Sequence, residues 1–175
     1  MIFAELIASL KADLRNGARV EVSELVVDSR AAKPGAVFLA QRGARTDSHR
    51  FIKAAYDLGA RAFIVEDASE VPMDAACAIL PDTRRVAGLL SARLLGDPGR
   101  KLWIAGITGT NGKTSTTYLL EALLARAGKR PGVIGTVNYR FAGRELEAPN
   151  TTPGPLDLAH LLLEMTLADV SHLAI

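Results

Sequence analysis

The 175-residue chain has little cysteine, little net charge and no long apolar run, and each shortage excludes a class of protein. A single cysteine, Cys77, allows neither an internal disulfide nor a cysteine-based zinc site. Because Cys77 lies in the apolar run 75–80, we predict a buried side chain that acts as a small hydrophobe. The formal net charge of +2 is too small to indicate nucleic-acid binding.

Membrane insertion and export are not indicated either. No apolar run approaches the ~18 residues that a membrane span needs. The N-terminus lacks the basic start and the uninterrupted apolar stretch of a signal peptide. We therefore expect a cytoplasmic monomer that binds neither nucleic acid nor membrane. What the chain does contain, 49% apolar and 23% charged residues, is typical of a globular protein with a core.

Strand and helix patterns alternate along the first 95 residues. Strands are predicted at residues 22–28, 36–40, 61–66 and 75–80, and helices at 1–14, 47–58 and 82–95. Gly59 and Gly96 follow two of these helices, where C-cap glycines are common. This alternation predicts the α/β class with a largely parallel sheet.

The Gly-Asp-Pro-Gly segment at 96–99 interrupts the pattern of helices and strands more clearly than any other segment. We therefore predict domains at 1–97 and 98–175. The second part is predicted to contain strands at 101–108, 132–137 and 171–175, helices at 113–127 and 153–167, and a hairpin across 142–143. Trp103 is predicted to be in the core. The apolar face of helix 113–127 is predicted to be Leu119, Leu120, Leu123 and Leu124. Since the last strand has no polar tail, we expect a piece of a longer protein.

A phosphate-binding loop is predicted at residues 108–115, within the sequence GITGTNGKTS. It follows a predicted strand and opens a predicted helix, as such a loop must. Gly109 and Gly112 allow a tight turn whose N–H groups converge on phosphate oxygens, at the positive end of the helix dipole. Lys113 is expected to contact the β- and γ-phosphates, and Thr114 to bind Mg²⁺. The strict Walker pattern fails because Ile107 occupies its first glycine position.

A triphosphate site of this kind also needs an acidic metal ligand at the end of a neighbouring strand. Asp157 and Glu164 lie within the last predicted helix, and Asp169 precedes the last strand. None of the three fits this role, so the acidic ligand is expected beyond Ile175.

Two sets of motifs together resemble the Mur ligase family of peptidoglycan synthesis. The sequence TGTNGKTS at 108–115 resembles the ATP loop of the family. The NTTP sequence at 150–153 resembles a segment of the member that adds the third amino acid of the peptide. In the first part, 28–30, 33–35 and 37–40 are similar to a series in the family's uridine-binding domain. One departure is Ser48-His49, where the family commonly has a glycine after the aspartate.

The resemblance implies an α/β uridine-nucleotide-binding domain followed by the start of a P-loop, Rossmann-like ATPase domain. It implies an ATP-dependent ligase that forms an acyl phosphate on UDP-N-acetylmuramoyl-L-alanyl-D-glutamate. The amine of meso-diaminopimelate or L-lysine then displaces the phosphate, and the choice between the two amino acids stays open. The 175 residues alone are expected to bind nucleotide and substrate without catalysing ligation.

The same resemblance assigns the site residues. Lys113 is expected to be catalytic and Thr114 to be the metal ligand. ATP is expected to contact Gly109, Thr110, Asn111, Gly112, Lys113, Thr114 and Ser115. The UDP-substrate is expected to contact Val27, Ser29, Ala44, Arg45, Thr46, Asn150, Thr151 and Thr152.

Structural interpretations compete with some of these assignments. A Thr152 N-cap with Pro153 at the first helical position is a common helix start. His49, His160 and His172 have no metal-ligand spacing and are predicted to be surface or hydrogen-bonded side chains.

Other functions also remain open at this stage. A regulatory GTPase would show an Asn-Lys-x-Asp sequence, which is absent, and a P-loop kinase needs no α/β domain before its phosphate loop. A pure UDP-sugar-binding module is a third alternative. Within ligases, the enzyme that adds the terminal dipeptide and the folate polyglutamate ligase are alternatives, and the motifs at 28–40 and 150–153 argue against both.

Overall fold

The computed structural model describes residues 1–17, 19–43 and 46–175. The chain divides into two compact units, Met1–Leu94 and Leu95–Ile175. Each unit contains one five-stranded sheet together with helices, so the predicted α/β class is confirmed. Among the described residues, no helix combines the length and apolarity that crossing a bilayer would require.

The first unit alternates short strands and helices. Its strands are β1 (Asp13–Arg15), β2 (Glu24–Val26), β3 (Ala36–Leu39), β4 (Ala62–Val65) and β5 (Ala76–Ile79). Its helices are α1 (Phe3–Ile7), α2 (Ile52–Asp57) and α3 (Ala87–Leu94), with 3-10 turns at Ser29–Ala31, Ser48–Phe51 and Arg84–Val86. The sheet order is β1-β5-β4-β3-β2, and only β1 runs antiparallel to its neighbour. The expectation of a largely parallel sheet is confirmed.

The core of the first unit lies around β3 and β4, in which every residue is buried. When both faces of a parallel sheet are covered, its strands consist of continuous apolar residues. This explains the sequences AVFL of β3 and AFIV of β4. The rings of Phe38 and Phe63 meet edge to face with centroids 6.3 Å apart, and Ile52 of α2 packs in the same cluster. Cys77 is buried there as predicted, and burial raises the pKa of its thiol.

All three predicted helices of the first unit were wrong in extent, and the one predicted at 82–95 is a 3-10 turn at Arg84–Val86 followed by α3. The helix predicted at 1–14 ends at Ile7, and residues 13–15 form β1 instead, because their main chain pairs with β5. The helix predicted at 47–58 opens with a 3-10 turn, because the Asp47 carboxylate accepts the N–H of His49, two residues on.

The second unit combines a parallel sheet with a hairpin. Its strands are β6 (Trp103–Ala105), β7 (Pro131–Ile134), β8 (Asn138–Phe141), β9 (Arg144–Glu147) and β10 (His172–Ala174). Its helices are α4 (Lys113–Arg126) and α5 (Pro155–Leu167), with a 3-10 turn at Pro98–Lys101. The order is β6-β10-β7-β8-β9, with β10 parallel to both neighbours and β8 antiparallel to β7 and β9. The predicted hairpin is confirmed, with positive φ at Ala142 and Gly143.

Packing between α5 and the sheet forms the core of the second unit. Met165 and Leu173 are fully buried, beside Ile134 and Phe141. Gly132 of β7 allows this close approach, because a Cβ there would lie 3.2 Å from Val170 and 3.3 Å from the Met165 sulfur.

Three predictions about this unit were wrong. Trp103 is 54% exposed rather than in the core, because β6 is an edge strand of the sheet. Leu119 and Leu123 of α4 are also exposed, and the buried position of that helix is Thr117. Helix α5 begins at Pro155 with Gly154 as its N-cap, so Thr152 does not cap it.

Candidate nucleotide and substrate sites

The phosphate loop, residues 108–115, connects the end of β6 to the first turn of α4. Gly109 has φ +152° and Gly112 has φ +79°, conformations that side chains rarely adopt. Gly112 is the N-cap of α4, and the first N–H groups of a helix have no intrahelical acceptor. The turn therefore presents backbone donors and the positive end of a helix dipole to one side, a geometry suited to a phosphate group.

Lys113 is the first residue of α4 and bends back over the loop. Its Nζ donates to the Gly109 carbonyl oxygen at 2.6 Å. This contact holds a cationic group beside the glycine turn, where the dipole already favours an anion. Lys113 therefore lies where the sequence motif predicts a phosphate contact.

A cavity of about 280 Å³ joins the phosphate loop to the segment that carries the NTTP motif. Lys113 and Thr114 line it from the loop and α4, and Thr151 and Thr152 line it from the segment before α5. The remaining lining residues come from the ends of strands and from α4, and they are Ile107, Thr108, Gly109, Thr117, Ile134, Gly135, Thr136 and Ile175. Residues 37 to 39 positions apart in sequence thus share one pocket at the carboxyl ends of parallel strands, where ligands of open α/β sheets bind.

Two hydrogen bonds fix the segment 150–152 beside this cavity. The Tyr139 hydroxyl donates to the carbonyl oxygen of Asn150 at 2.5 Å. The hydroxyl oxygens of Thr151 and Thr136 lie 3.2 Å apart. Because Tyr139 is a buried core residue, the segment is attached to a rigid part of the sheet.

A second cavity, of about 770 Å³, lies in the first unit. Three residues assigned to the UDP-substrate line it: Val27, Ser29 and Thr46. The other lining residues belong to the same turn, the loop after β3 and the helical segment that follows, and they are Asp28, Arg30, Gln41, Gly43, Ser48, Phe51 and Ala54. The cavity has the size of a nucleotide site.

Asp28 and Arg30 form a closed pair at this cavity. The Asp28 carboxylate accepts the backbone N–H of Arg30 at 3.0 Å, and its other oxygen lies 2.6 Å from the Arg30 guanidinium. The side-chain bonds to Arg30, and then the backbone bond, lower the pKa of Asp28 to about 2. The ionised Asp28 carboxylate therefore neutralises the charge of Arg30, while the adjacent Ser29 lines the cavity.

Residues 41–43 and 46–48 lie at one rim of the second cavity, and Gln41 and Ser48 are joined by hydrogen bonds. The N–H of Ser48 donates to the Gln41 carbonyl at 3.0 Å, and the N–H of Gln41 donates to the Ser48 hydroxyl at 2.6 Å. Asp47 caps the following 3-10 turn. Its pKa is lowered, chiefly because its carboxylate accepts the backbone N–H and then the ring N–H of His49.

His49 links this loop to the core of the first unit. The residue is 6% exposed, and its Nε2 accepts the backbone N–H of Glu66 at 2.9 Å. Since Nε2 acts as an acceptor, the proton of the neutral ring lies on Nδ1, which is 2.6 Å from Asp47. The prediction of a hydrogen-bonded histidine is confirmed, and His49 ties the rim of the cavity to the end of β4.

The structure brings together some of the predicted site residues and leaves others aside. Thr110, Asn111, Gly112 and Ser115 lie on the loop or first turn of α4 but do not line the first cavity. Asn150 contacts Tyr139 through its backbone and also lies outside the lining. The predicted contacts Ala44 and Arg45 fall outside the residues that the structure describes.

A metal site is not assembled by the described part of the chain alone. Within it, no group of three or more histidine, cysteine, aspartate or glutamate side chains is arranged to hold a metal ion. Thr114, the metal ligand that the sequence motif predicts, lines the phosphate-loop cavity.

Models of two domains of one protein family match the two parts of the chain that contain these sites. The model of the Mur ligase middle domain matches residues 107–175, which contain the phosphate loop and the NTTP segment. The model of the Mur ligase family catalytic domain matches residues 21–94, which contain the second cavity. The chain belongs to the Mur ligase family. The GTPase and P-loop kinase alternatives are therefore wrong.

The curated relatives of this Mur ligase chain include UDP-N-acetylmuramoyl-L-alanyl-D-glutamate–2,6-diaminopimelate ligases. The enzyme of Geobacter metallireducens is 42% identical over 146 residues, which cover 83% of this chain and 29% of the relative. The Aquifex aeolicus enzyme is 39% identical over 145 residues, covering 82% of this chain and 29% of the relative. The chain thus spans less than a third of the length of these relatives.

Solved structures show the same architecture. A UDP-N-acetylmuramoyl-L-alanyl-D-glutamate–2,6-diaminopimelate ligase superimposes with a TM-score of 0.80 at 25% identity, over 100% of this Mur ligase chain and 36% of that protein. MurF ligase from Thermotoga maritima, solved in complex with ADP, gives a TM-score of 0.53 at 25% identity, over 89% of this chain and 32% of that protein.

Sequence reasoning missed Thr136 and Tyr139, which contact the NTTP segment. Residue 136 was assigned to a strand at 132–137, whereas β7 ends at Ile134. A polar residue after a glycine at the end of an apolar strand was the available signal, because such residues lie at the ligand-binding edge of a parallel sheet.

Proposed function

We propose that this Mur ligase chain provides the substrate- and ATP-binding part of a ligase that adds meso-diaminopimelate to UDP-N-acetylmuramoyl-L-alanyl-D-glutamate. The observation that carries the proposal is the cavity in which Lys113 and Thr114 face Thr151 and Thr152. A reaction between ATP and a carboxylate needs the γ-phosphate and the substrate in one pocket. In this cavity, Lys113 and Thr114 are available to the phosphate, and Thr151 and Thr152 are available to the substrate. The names of the curated relatives support diaminopimelate as the added amino acid.

Each residue group has a separate part in the proposed reaction. The N–H groups of the glycine turn and the Lys113 ammonium hold the phosphates and neutralise charge that develops on them. The Lys113 ammonium has three donors, so it can keep its bond to the Gly109 carbonyl, 2.6 Å away, and still donate to phosphate oxygens. Mg²⁺, held in part by Thr114, would supply further charge neutralisation at the β- and γ-phosphates.

The substrate segment sets the direction of attack. Thr151 and Thr152 are proposed to hold the dipeptide so that its carboxylate faces the γ-phosphate. A carboxylate oxygen attacks the γ-phosphorus, ADP leaves, and an acyl phosphate forms. The amine of diaminopimelate then attacks the acyl carbon, and inorganic phosphate leaves as the amide bond forms. Holding both reactants in one cavity is the main contribution that these residues make to the rate.

The first unit is proposed to bind the uridine end of the same substrate. Ser29 and Thr46 offer hydroxyl groups, and Val27 offers an apolar contact, within a cavity of about 770 Å³. The pairing of Asp28 with Arg30 leaves Ser29 between two mutually neutralised charges. The assignment of residues 1–97 to UDP-substrate binding and of 98–175 to ATP binding is part of this proposal.

Calorimetric titration of the chain tests the proposal. We expect saturable binding of ATP with Mg²⁺, and tighter binding of UDP-N-acetylmuramoyl-L-alanyl-D-glutamate than of UMP. Lys113→Ala should weaken ATP binding about 10- to 150-fold, since a hydrogen bond to a charged group contributes about 1.5–3 kcal/mol. Lys129→Ala is a matched control, because Lys129 lies beyond the far end of α4.

Two results would contradict the proposal. Equal ATP affinity in the Lys113→Ala and Lys129→Ala variants would remove the phosphate-loop assignment. Binding of UMP without any binding of ATP would instead favour the alternative that the chain is a UDP-sugar-binding module.

A further inference from the structure

Thr136 lies at the carboxyl edge of the second sheet, just past β7, and lines the cavity of the phosphate loop. It belongs to neither the phosphate loop nor the NTTP motif. Both Thr136 and Thr151 are exposed, so their hydroxyl groups are accessible from the cavity. Polar side chains at this edge of a parallel sheet are well placed to contact a ligand.

The hydroxyl groups of Thr136 and Thr151 form a pair with a fixed capacity for hydrogen bonds. Their oxygens are 3.2 Å apart, so one hydroxyl donates its proton to the other. The hydroxyl that accepts keeps its own proton, because each threonine carries one proton and two lone pairs. Whichever residue donates, the pair retains one O–H group that is free to donate to a third atom.

Two hydrogen bonds hold the segment that carries Thr151, one from a buried residue and one between exposed side chains. The backbone of Asn150 accepts a hydrogen bond from Tyr139, which is buried in the core. The side chain of Thr151 contacts Thr136 on the surface of the cavity. Tyr139 therefore fixes where the segment runs, and Thr136 fixes the direction of the Thr151 hydroxyl.

The opposite wall of this cavity carries a positive charge. Lys113 and the first turn of α4 both favour an anion there. A neutral hydroxyl pair facing such a wall can donate to the same anion, and donation to a charged oxygen is about twice as strong as donation to a neutral one.

We propose that Thr136 is a positioning residue of this site, which orients Thr151 so that the hydroxyl pair donates one hydrogen bond to an anionic oxygen of the ligand. The inference rests on the proposed function, in which that oxygen belongs either to the γ-phosphate of ATP or to the carboxylate of the UDP-muramoyl dipeptide. Both sources share the same chemistry, and separate titrations distinguish them.

Three variants of the chain test the inference by calorimetry. Thr136→Val keeps the shape and removes the hydroxyl, Thr136→Ser keeps the hydroxyl, and Thr166→Val makes the same chemical change on α5, away from the cavity. Thr136→Val should raise the Kd of ATP or of UDP-N-acetylmuramoyl-L-alanyl-D-glutamate about 10-fold and leave the Kd of UMP unchanged. The ligand that is weakened identifies the oxygen. Unchanged affinity for both ligands, or equal weakening by Thr136→Ser, would overturn the inference.

Side-chain NMR gives a second readout that needs no ligand. The coupling between Hα and Hβ of Thr151 reports its χ1 rotamer, and it should indicate a single rotamer in Thr136→Ser and Thr166→Val but an average in Thr136→Val, because only the last change removes the hydroxyl that Thr151 contacts. Equal couplings in all three variants would refute the positioning role. If the unmodified chain binds neither ATP nor the UDP-substrate, the proposed function fails, whereas the coupling result still decides whether Thr136 orients Thr151.

Discussion

Replacing His49 with alanine removes, among others, the two shortest hydrogen bonds that the ring makes inside the first unit. One joins Nε2 to the backbone N–H of Glu66 at 2.9 Å, and the other joins Nδ1 to Asp47 at 2.6 Å. The two bonds have different consequences. The Glu66 N–H is partly buried and loses its acceptor, whereas the Asp47 carboxylate is about half exposed and can bind water instead.

The expected loss of stability follows from these two environments. A buried donor left without an acceptor costs about 1–3 kcal/mol, and a hydrogen bond that water replaces contributes about 0.5–1.5 kcal/mol. We therefore expect His49→Ala to lower the free energy of unfolding of the first unit by about 1.5–4.5 kcal/mol. His49→Gln should lose less, because its amide oxygen can accept the Glu66 N–H.

Urea unfolding followed by far-UV circular dichroism measures this loss. His160→Ala is the control, because His160 is exposed on α5, and a surface change of this kind usually alters stability by about 0.5 kcal/mol or less. The chain has one tryptophan, Trp103, so its fluorescence separately reports the second unit. His49→Ala should also weaken UMP binding, since the adjacent Ser48 lines the proposed uridine cavity. A loss no larger than that of His160→Ala would refute the reasoning.

Three further predictions concern Asp28, two glycines with positive φ, and Ser29. The Asp28 carboxyl should titrate near pH 2 by NMR, and its contribution to stability, present above the unfolded value of about 3.9, should be lost as the pH falls toward 2. Arg30→Ala should raise this midpoint, and an unchanged midpoint would contradict the assigned cause. Gly96→Ala should cost about 1–2 kcal/mol in urea unfolding because of its positive φ. Gly59→Ala should cost more, because its Cβ would also lie 2.8 Å from a proline ring, and equal costs would show that this contact relaxes. Ser29→Ala should weaken UMP binding in calorimetry and leave ATP binding unchanged, and equal loss of both would indicate misfolding.

Features that depend on neighbouring residues were predictable from the sequence. Strands β3 and β4 are buried on both faces and therefore read as apolar runs. The phosphate loop is a local motif, whose glycines adopt the positive φ values that the turn requires. In each case, residues within about ten positions of one another carry the whole signal.

Features that depend on distant residues were not predictable. The segment 13–15 has no strand pattern, and it becomes β1 because β5, more than 60 residues later, offers its main chain for pairing. Trp103 is apolar and lies in a strand, yet its exposure follows from the edge position of β6. The contact of Thr136 with Thr151 exists because the hairpin returns the chain to the end of β7. A sequence pattern contains neither strand order nor hairpin direction.

The order of strands in the second sheet also governs when the phosphate loop can be anchored during synthesis. Strand β10 is inserted between β6 and β7, although it is the last of the three to leave the ribosome. Until it arrives, β6 and β7 have no common neighbour, and their unpaired edges are open to pairing with other chains. The N–H of Ile107, at the entrance to the phosphate loop, donates to the carbonyl of Ile175 at 2.6 Å. In a nascent chain, the entrance to the phosphate loop is therefore held by this hydrogen bond only after β10 has been translated and has paired with β6.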